Sequence, residues 1–410
     1  MKRYWIWMSM NKGLSAKGCL RVLAAFGDPK RVYEASKSEL EQTKGITKKD
    51  VLALLEKDLS AAERILSVCK QCGIGVLTLE DDRYPELLRQ IPDPPVVLYY
   101  TGRLPDFDRE LPLAVVGQRK ATEHGLSAAA CMGMALGLGG AIVISGCADG
   151  IDRAAMEGAL HSGATVVGVL GCGVDVVYPA GSRHLYEAIP QHGCLISEYA
   201  PGTQPDRWNF PARNRIISGL SRGVVVVEAP RKSGSLITAR HALEQGRDVF
   251  ALPGAAGDPA CAGSNDLLRQ GASFAENGSD VLRDYLYLFP ERVHIPSDQE
   301  LESCADTYFN ASKNISFEEQ VPQKADPLDK KDIDKRNSPK YIDLNATAAG
   351  LPPEEAAVLL SLKTEPLPVD LIVMATEMDV WYVQSALTML EIRGLVCRHP
   401  GGFWSLKQNS

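Results

Sequence analysis

The sequence predicts an α/β protein in which a doubly wound parallel sheet is set between a helical N-terminal domain and a winged-helix C-terminal domain. Three observations predict it. Apolar residues at helical spacing fill the first eighty residues, six short apolar runs alternate with helical patterns through the middle, and the last sixty residues read as three helices and a hairpin. At 410 residues the chain is also too long for one ordinary core, at roughly 100–200 residues per domain.

The N-terminal helices come first. Apolar residues at three- and four-residue spacing run over Ser15 to Phe26, Ser38 to Thr43 and Lys48 to Lys70, with breaks at Gly27-Asp28-Pro29 and at Gly45. The turn KGITKKD, Lys44 to Asp50, has the form of a helix-hairpin-helix turn, whose backbone amides can hold a DNA phosphate; packing between helices is its expected role. Ahead of it, MKRYWIWMSMNKG joins a basic end to an apolar run too short for a secretory signal, and no stretch approaches a membrane span. A cytoplasmic protein with no membrane partner is expected. The ten cysteines are scattered in the manner of reduced thiols, and the single CxxC pair, Cys69 and Cys72, lacks the second pair or the histidines that a zinc site needs. Neither a metal nor a cofactor is expected.

After a bridging segment, Tyr84 to Leu104, apolar runs appear at Leu113 to Val116, Ala141 to Ser145, Val166 to Leu170, Leu195 to Ser197, Val224 to Val227 and Val249 to Leu252. Runs of this length with no polar face suit strands buried on both sides, as in parallel sheets covered by helices. From Glu291 to Asn345 charge, Ser and Pro dominate, and a flexible linker is expected. Periodicity returns in PEEAAVLLSL, PVDLIVMATE and VWYVQSALTMLEIRG, followed by LVCRHPGGFWSL with Gly401-Gly402 at a hairpin turn. The expected domains are residues 1–80, 81–290 and 346–410, with the linker at 291–345. The third C-terminal helix carries Asp379, Glu391 and only Arg393, too few cations and donors to read a groove. It is expected to contact protein or serve the fold, with Trp381, Tyr382 and Trp404 as core residues.

Charge shows where the chemistry lies. Between Arg207 and Arg247 eight basic residues, among them Arg213, Arg215, Arg231, Lys232 and Arg240, face only Glu228 and Glu244, a local charge of +6 in a chain of net charge -7. A focused basic patch on an acidic protein serves a local anionic ligand and excludes a nucleic-acid coat spread over the whole surface. In a doubly wound sheet such ligands sit outside the carboxyl ends of the strands. Gly117, Arg119 and Lys120 follow the first predicted strand, with Thr122 as the helix cap, and Ser145 and Gly146 follow the second. Gly171 and Gly173 follow the third, and Arg231, Lys232, Ser233, Gly234 and Ser235 follow the fifth, where hydroxyls and amides at a helix start face an anion. None matches a dinucleotide or P-loop fingerprint, and any one of these glycines can serve a tight turn alone. Their convergence on one sheet edge, with Arg213 and Arg215 nearby, marks that edge as the candidate phosphate site.

Seven ordered motifs between Leu113 and Val281 carry a resemblance: Gly117 to Arg119, SGCADGID, GCGVDVVYP, LISEYAPG, FPARNRIISGLS, VVEAPRKSGSLITA and GSNDLL. Together they resemble the DprA/Smf family of DNA-processing proteins over the whole central domain. The flanking pieces agree, since that family often carries a helical, SAM-like N-terminal domain and a winged-helix C-terminal domain. The resemblance implies an extended Rossmann-like central domain that binds single-stranded DNA in a basic pocket. It also implies protection of incoming DNA and help in loading the RecA recombinase during natural transformation, by a homodimer that needs no catalysis. By position it puts the phosphate-binding arginine at Arg119 and the basic residue before the SGS turn at Lys232. Gly117, Lys120, Ser145, Gly146, Ser233, Gly234 and Ser235 surround them, and Arg213, Asn214 and Arg215 form the RNR motif. Three residues depart from the pattern: Gln118 replaces a small hydroxyl residue, Asp149 brings a carboxylate near the site, and Met156 stands where histidine is usual. For Arg213 and Arg215 the alternative to DNA is an internal salt bridge with Glu198 or Glu228.

Two other functions compete with a strand binder. Related Rossmann-like folds include nucleotide hydrolases that act on N-glycosidic bonds and need a carboxylate near the ribose. Here LITARHALE follows the SGS turn, and its nearest acid, Glu244, lies more than two turns into the helix. That counts against an enzyme. A sensor of a small phosphate compound differs from a strand binder in the length of its ligand.

Overall fold

The computed structural model describes residues 1–11, 13–314, 351–362, 367–376, 378–393, 395–399 and 403–406. They fall into two compact units, Met1–Phe309 and Asn310–Ser410.

One nine-stranded sheet organises the larger unit. Its strands are β1 (Gly75–Thr78), β2 (Val97–Gly102), β3 (Leu111–Val116), β4 (Ala141–Ser145), β5 (Val166–Leu170), β6 (Cys194–Ser197), β7 (Gly223–Val226), β8 (Asp248–Ala251) and β9 (Ser273–Phe274), in the spatial order β1-β2-β6-β5-β4-β3-β7-β8-β9. From β6 to β9 all neighbours are parallel, while β2 pairs antiparallel with both β6 and β1. The six apolar runs of the sequence are β3 to β8. The period-two alternation serves both faces: Leu111, Leu113 and Val115 join one core with Val143 and Val166, and Ala114 and Val116 join the other with Ile142, Ile144 and Val167. Strands β1, β2 and β9 escape the pattern, because β9 is two residues long, β1 is four residues long and comes just after α6, and β2 lies beside Pro94 and Pro95 in the bridging segment.

The N-terminal helices belong to the same unit and pack onto this sheet as α1 (Lys2–Met10), α2 (Ala16–Phe26), α3 (Pro29–Glu34), α4 (Lys37–Gln42), α5 (Lys48–Leu55) and α6 (Ser60–Gln71). The brief apolar run at the start is α1, whose Trp5, Ile6, Trp7 and Met8 are buried in the same core as Val76 and Tyr99 of the sheet. The helix expected over Lys48 to Lys70 is two helices. Between them Trp7 Nε1 donates to Glu56 O at 2.8 Å and Lys57 Nζ to Ala35 O at 2.5 Å, contacts that hold the break. In the KGITKKD turn Thr47 and Asp50 form a capping box. The buried Asp50 carboxylate also accepts from Ser15 N at 2.7 Å and so ties α2 to α5.

The remaining helices are α7 (Glu86–Arg89), α8 (Glu123–Leu138), α9 (Ile151–His161), α10 (Arg183–His192), α11 (Asn209–Leu220), α12 (Ser235–Glu244), α13 (Ala262–Arg269), α14 (Gly278–Arg283) and α15 (Asp298–Asn314). Helices α8 and α9 cross closely because Gly133 lies against Ala155 O and Gly158 against Ala130 O, where a Cβ would collide. The segment expected to be a flexible linker opens with α15. Ser297 and Glu300 exchange hydrogen bonds at its start, and further along Tyr308 Oη donates to Glu157 at 3.3 Å while Thr307 Oγ1 lies 2.9 Å from His161 Nε2. The rest of that segment, 315–345, lies outside the described residues.

The smaller unit has helices Pro353–Ser361, Val369–Thr376 and Val380–Ile392, and a three-stranded sheet of Leu367–Pro368, Phe403–Leu406 and Val396–His399 in that order. This is the expected winged helix with one further short strand; Gly401-Gly402 lie outside the described residues. Trp404 is in its core with Val383, Leu387 and Leu390. Tyr382 is not: it stands 62% exposed, because its position faces away from that core stripe. The side chain of Trp381 lies outside the described residues. Arg393 is engaged with Glu355 at 2.9 Å.

Burial opposes the charge on Asp50, yet hydrogen bonds from Thr47 and Ser15 outweigh it and hold the carboxyl below its ordinary range. A depressed carboxyl stabilises the fold above its unfolded pKa of about 4 and loses that contribution as pH falls through the folded value. Asp50→Asn is expected to lower stability in urea at pH 7 by about 1–3 kcal/mol. The gap between wild type and variant should close below about pH 4.

Candidate nucleic-acid interface

The chain leaves β3 through α8 toward β4, β5 and β6, then returns through α11 to β7 on the other side of β3. Strands β3 and β7 pair in parallel from Leu113↔Gly223 to Val116↔Val226. Their carboxyl ends are therefore the switch point of the sheet, where the outgoing loops diverge and leave a crevice.

Glu228, just past β7, shapes the first of those loops. Its buried carboxylate accepts from Gln118 Nε2 at 2.5 Å, from Thr122 N at 2.9 Å and from Thr122 Oγ1, while its carbonyl accepts from Gln118 N at 2.8 Å. Thr122 in turn caps α8 by accepting from Gly125 N. From below, Gly150, at φ +81°, packs against the carbonyls of Gln118 and Arg119, so that a Cβ there would displace the loop. Gly117 lies against Ile151, at 2.5 Å from where its Cβ would be. Held at both ends, the loop exposes Arg119 and Lys120 to solvent. The Arg119 guanidinium lies over the Phe210 ring at 5.3 Å, and Phe210 lies 5.2 Å from Tyr178, itself 37% exposed. Motif reading singled out Arg119 but missed the two aromatics beside it. Phe210 was visible as the first residue of FPARNR, but nothing in the sequence pairs it with Tyr178.

The second loop is anchored by α13. Gly263 N and Ser264 N both donate to Ala229 O, at 2.7 and 3.2 Å, and Gly263 lies so close to the Ala229 and Pro230 carbonyls that no Cβ fits. The GSNDLL motif thus positions the Ser/Gly turn. Beyond it Lys232 is exposed, Ser233 Oγ and Ser235 Oγ lie 2.7 Å apart, and Asn214 Nδ2 donates to Gly234 O at 3.2 Å. Arg231 pairs with Asp266 at 2.7 Å.

Four residues expected at the surface have internal tasks instead. Ser145 is buried and donates to Val115 O at 2.6 Å, and the buried Gly146 donates its amide to Asp152 at 3.1 Å. Arg213 is 3% exposed; it donates to Gly146 O at 2.9 Å and to Val169 O. Its Nη2 and the Asp152 carboxylate flank the Gly146 α-carbon. Burial raises the Asp152 carboxyl against the opposing pull of Arg213, and lowers the guanidinium against that of Asp152. Arg215 donates to both oxygens of Glu198, at 2.9 and 3.0 Å, and to Asp93 at 3.2 Å. Burial works against its charge too, but the two carboxylates prevail and hold the guanidinium above its ordinary value. An arginine on the inner side of α11 reaches carbonyls and carboxylates before it reaches solvent. The three departures are absorbed as well: Gln118 serves Glu228, Asp149 pairs with Arg153 at 2.9 Å, and Met156 is buried with its sulfur 3.7 Å from Cys147 Sγ.

A doubly wound sheet with exposed cations and a helix start at its switch point defines a Rossmann-like protein with a candidate anion site. Comparison with known proteins makes this specific. The family model described as DNA recombination-mediator protein A matches residues 75–286, and that of the DprA winged helix domain matches residues 343–402. The Synechocystis Protein Smf is 33% identical over 97% of each chain. The DNA processing protein DprA of Streptococcus pneumoniae is 45% identical over 50% of this chain and 72% of its own length. The X-ray structure of the Streptococcus pneumoniae protein superposes with a TM-score of 0.62 at 35% identity, covering 69% of this chain and 98% of that one. The chain belongs to the DprA/Smf family of DNA-processing proteins. Among the described residues no helix is long and apolar enough to cross a membrane.

Arg213→Ala would leave Asp152 buried without its cation and is expected to cost about 3–5 kcal/mol in urea denaturation. Arg119→Ala, at an exposed position, should leave the midpoint unchanged.

Proposed function

We propose that this protein binds single-stranded DNA across the carboxyl edge of its sheet. It protects incoming DNA and promotes RecA loading in natural transformation and recombination, as a cytoplasmic homodimer. The observation that carries the proposal is the pair of rigidly seated loops at the switch point. Arg119 and Lys120 on one side, and Lys232 and Ser233 on the other, present cations, a hydroxyl and a helix N-terminus to successive phosphates, while the buried Ser235 hydroxyl braces that of Ser233. Gly117 and Gly234 keep the backbone close to the strand, while Asn214 braces the Gly234 carbonyl. Arg213, Arg215, Ser145 and Gly146 serve by holding the edge in shape. The Arg119–Phe210–Tyr178 stack favours a strand over a small phosphate compound, because an aromatic shelf beside a cation accepts a base while the next phosphate is held. Membership in a DNA-processing family supports the same reading. For the homodimer, support comes from exposed apolar side chains: Phe274 on the edge strand β9, and Tyr287 and Leu288 beyond α14.

Fluorescence anisotropy with oligothymidine tests the site. With about five phosphates neutralised, log K should fall against log salt with a slope near -3.5. Arg119→Ala and Lys232→Ala should each weaken binding about tenfold, near 1.4 kcal/mol. Wild-type affinity in both variants would refute the assignment, and a mononucleotide binding as tightly as an oligomer of about 20 nucleotides would favour the small-ligand alternative.

A further inference from the structure

The N-terminal helical domain has a charge the family site does not use. Residues 1–74 hold 14 Lys and Arg against 8 Asp and Glu, a net of +6. The carboxylates are largely engaged: Glu63 with Arg3, Glu34 with Lys30, Asp28 with Arg31, Glu41 with Lys37, Glu39 with Ser36 and Asp58 with Ser60. Four exposed cations lie together elsewhere. Arg21 Nη1 donates to Gly45 O, which brings α2 against the KGITKKD turn. Lys17 stands one helical turn before Arg21 on α2, and Lys44 and Lys48 flank the turn. No carboxylate occurs in residues 13–27 or 42–49, and Asp50, the nearest, is turned inward to Ser15 and Thr47. Lys17, Lys44 and Lys48 form no ion pair among the described residues.

This patch lies toward the carboxyl edge of the sheet. The buried Cys19 of α2 lies close enough to Glu198, which directly follows β6, and to Asp93 to feel their charges. Burial pushes the Cys19 thiol up to about 12, and the charges of Asp93, Asp50 and Glu198 add to it; Asp93 and Glu198 are the carboxylates that hold Arg215. The side chains carry this surface. The turn's amides do not, since the capping box already occupies Thr47 N and Asp50 N.

We infer that Lys17, Arg21, Lys44 and Lys48 form a second contact for the same single strand, taking backbone phosphates as it leaves the β6 side of the crevice. The inference rests on the sheet-edge reading proposed above. A surface of flexible cations without base-stacking side chains binds phosphate with no sequence preference, and it adds affinity only when the strand is long enough to reach it.

The test uses the full chain, oligothymidines of about 8 and about 30 nucleotides, and the triple variant Lys17→Gln/Lys44→Gln/Lys48→Gln. Arg21 is left in place because it holds the turn. The triple variant should bind the long strand about tenfold more weakly, with a salt slope shallower by about 2, and the short strand as wild type does. Wild-type affinity for the long strand would overturn the inference, and so would an equal loss on both strands, which would make the patch the primary site. Arg119→Ala tests the sheet edge separately. Weakened binding of both strands would support that reading, whereas wild-type binding of the short strand would sink it together with the idea of a second contact.

Discussion

A single buried guanidinium holds the carboxyl edge of the sheet together. Arg213 comes from α11, the helix that carries the chain across the sheet, and it bonds the Gly146 carbonyl after β4 and the Val169 carbonyl within β5. Asp152 at the start of α9 supplies the compensating charge and takes the Gly146 amide. A charge buried this deeply is tolerated because Nη1 bonds two carbonyls and Asp152 balances it, so strands, loop and two helices are held in one arrangement, although Arg213 Nε has no hydrogen-bond partner among the described residues. Gly146 has to be glycine, because a Cβ would meet both Arg213 Nη2 and Asp152 Oδ2 at 2.6 Å.

On that platform the binding loops are positioned from behind. Glu228 fixes the Arg119 loop to the end of β7, and the GSNDLL helix start fixes the Ala229 carbonyl ahead of the Ser/Gly turn. The cations that face solvent therefore stand on backbone that has little freedom left. Preorganised donors lose less entropy on meeting a flexible strand, and this suits a protein whose ligand has no fixed shape. Much of motifs such as VVEAPRKSGSLITA and GSNDLL supports the exposed cations of the two loops.

Much of this was legible in the sequence. Six apolar runs gave β3 to β8, the three C-terminal helices lie where their periodicity put them, and the exposed positions of Arg119, Lys120 and Lys232 agree with their places after strands. The antiparallel strands β1 and β2 were not read from the sequence, since β1 is a four-residue edge strand just after α6 and the apolar run of β2 follows Pro92, Pro94 and Pro95 in the bridging segment. Helix α15 was hidden in a polar segment, because a helix seated through Tyr308 and Thr307 needs few apolar residues. The stacking of Arg119 on Phe210 was equally hidden, as the two lie on different elements far apart in the chain.

The sequence by itself determined the α/β class, the family and the candidate site at one sheet edge. These follow from local periodicity and from glycines and cations at fixed offsets after strands, which neighbours in the chain impose. Only the tertiary structure divided the cations into those that face solvent and those that hold the fold. Arg213 and Arg119 are the same residue type, each in a motif beside the same sheet edge. What separates them is whether carbonyls and carboxylates from distant elements reach the guanidinium before solvent does, and that depends on packing, which spacing along the chain does not encode.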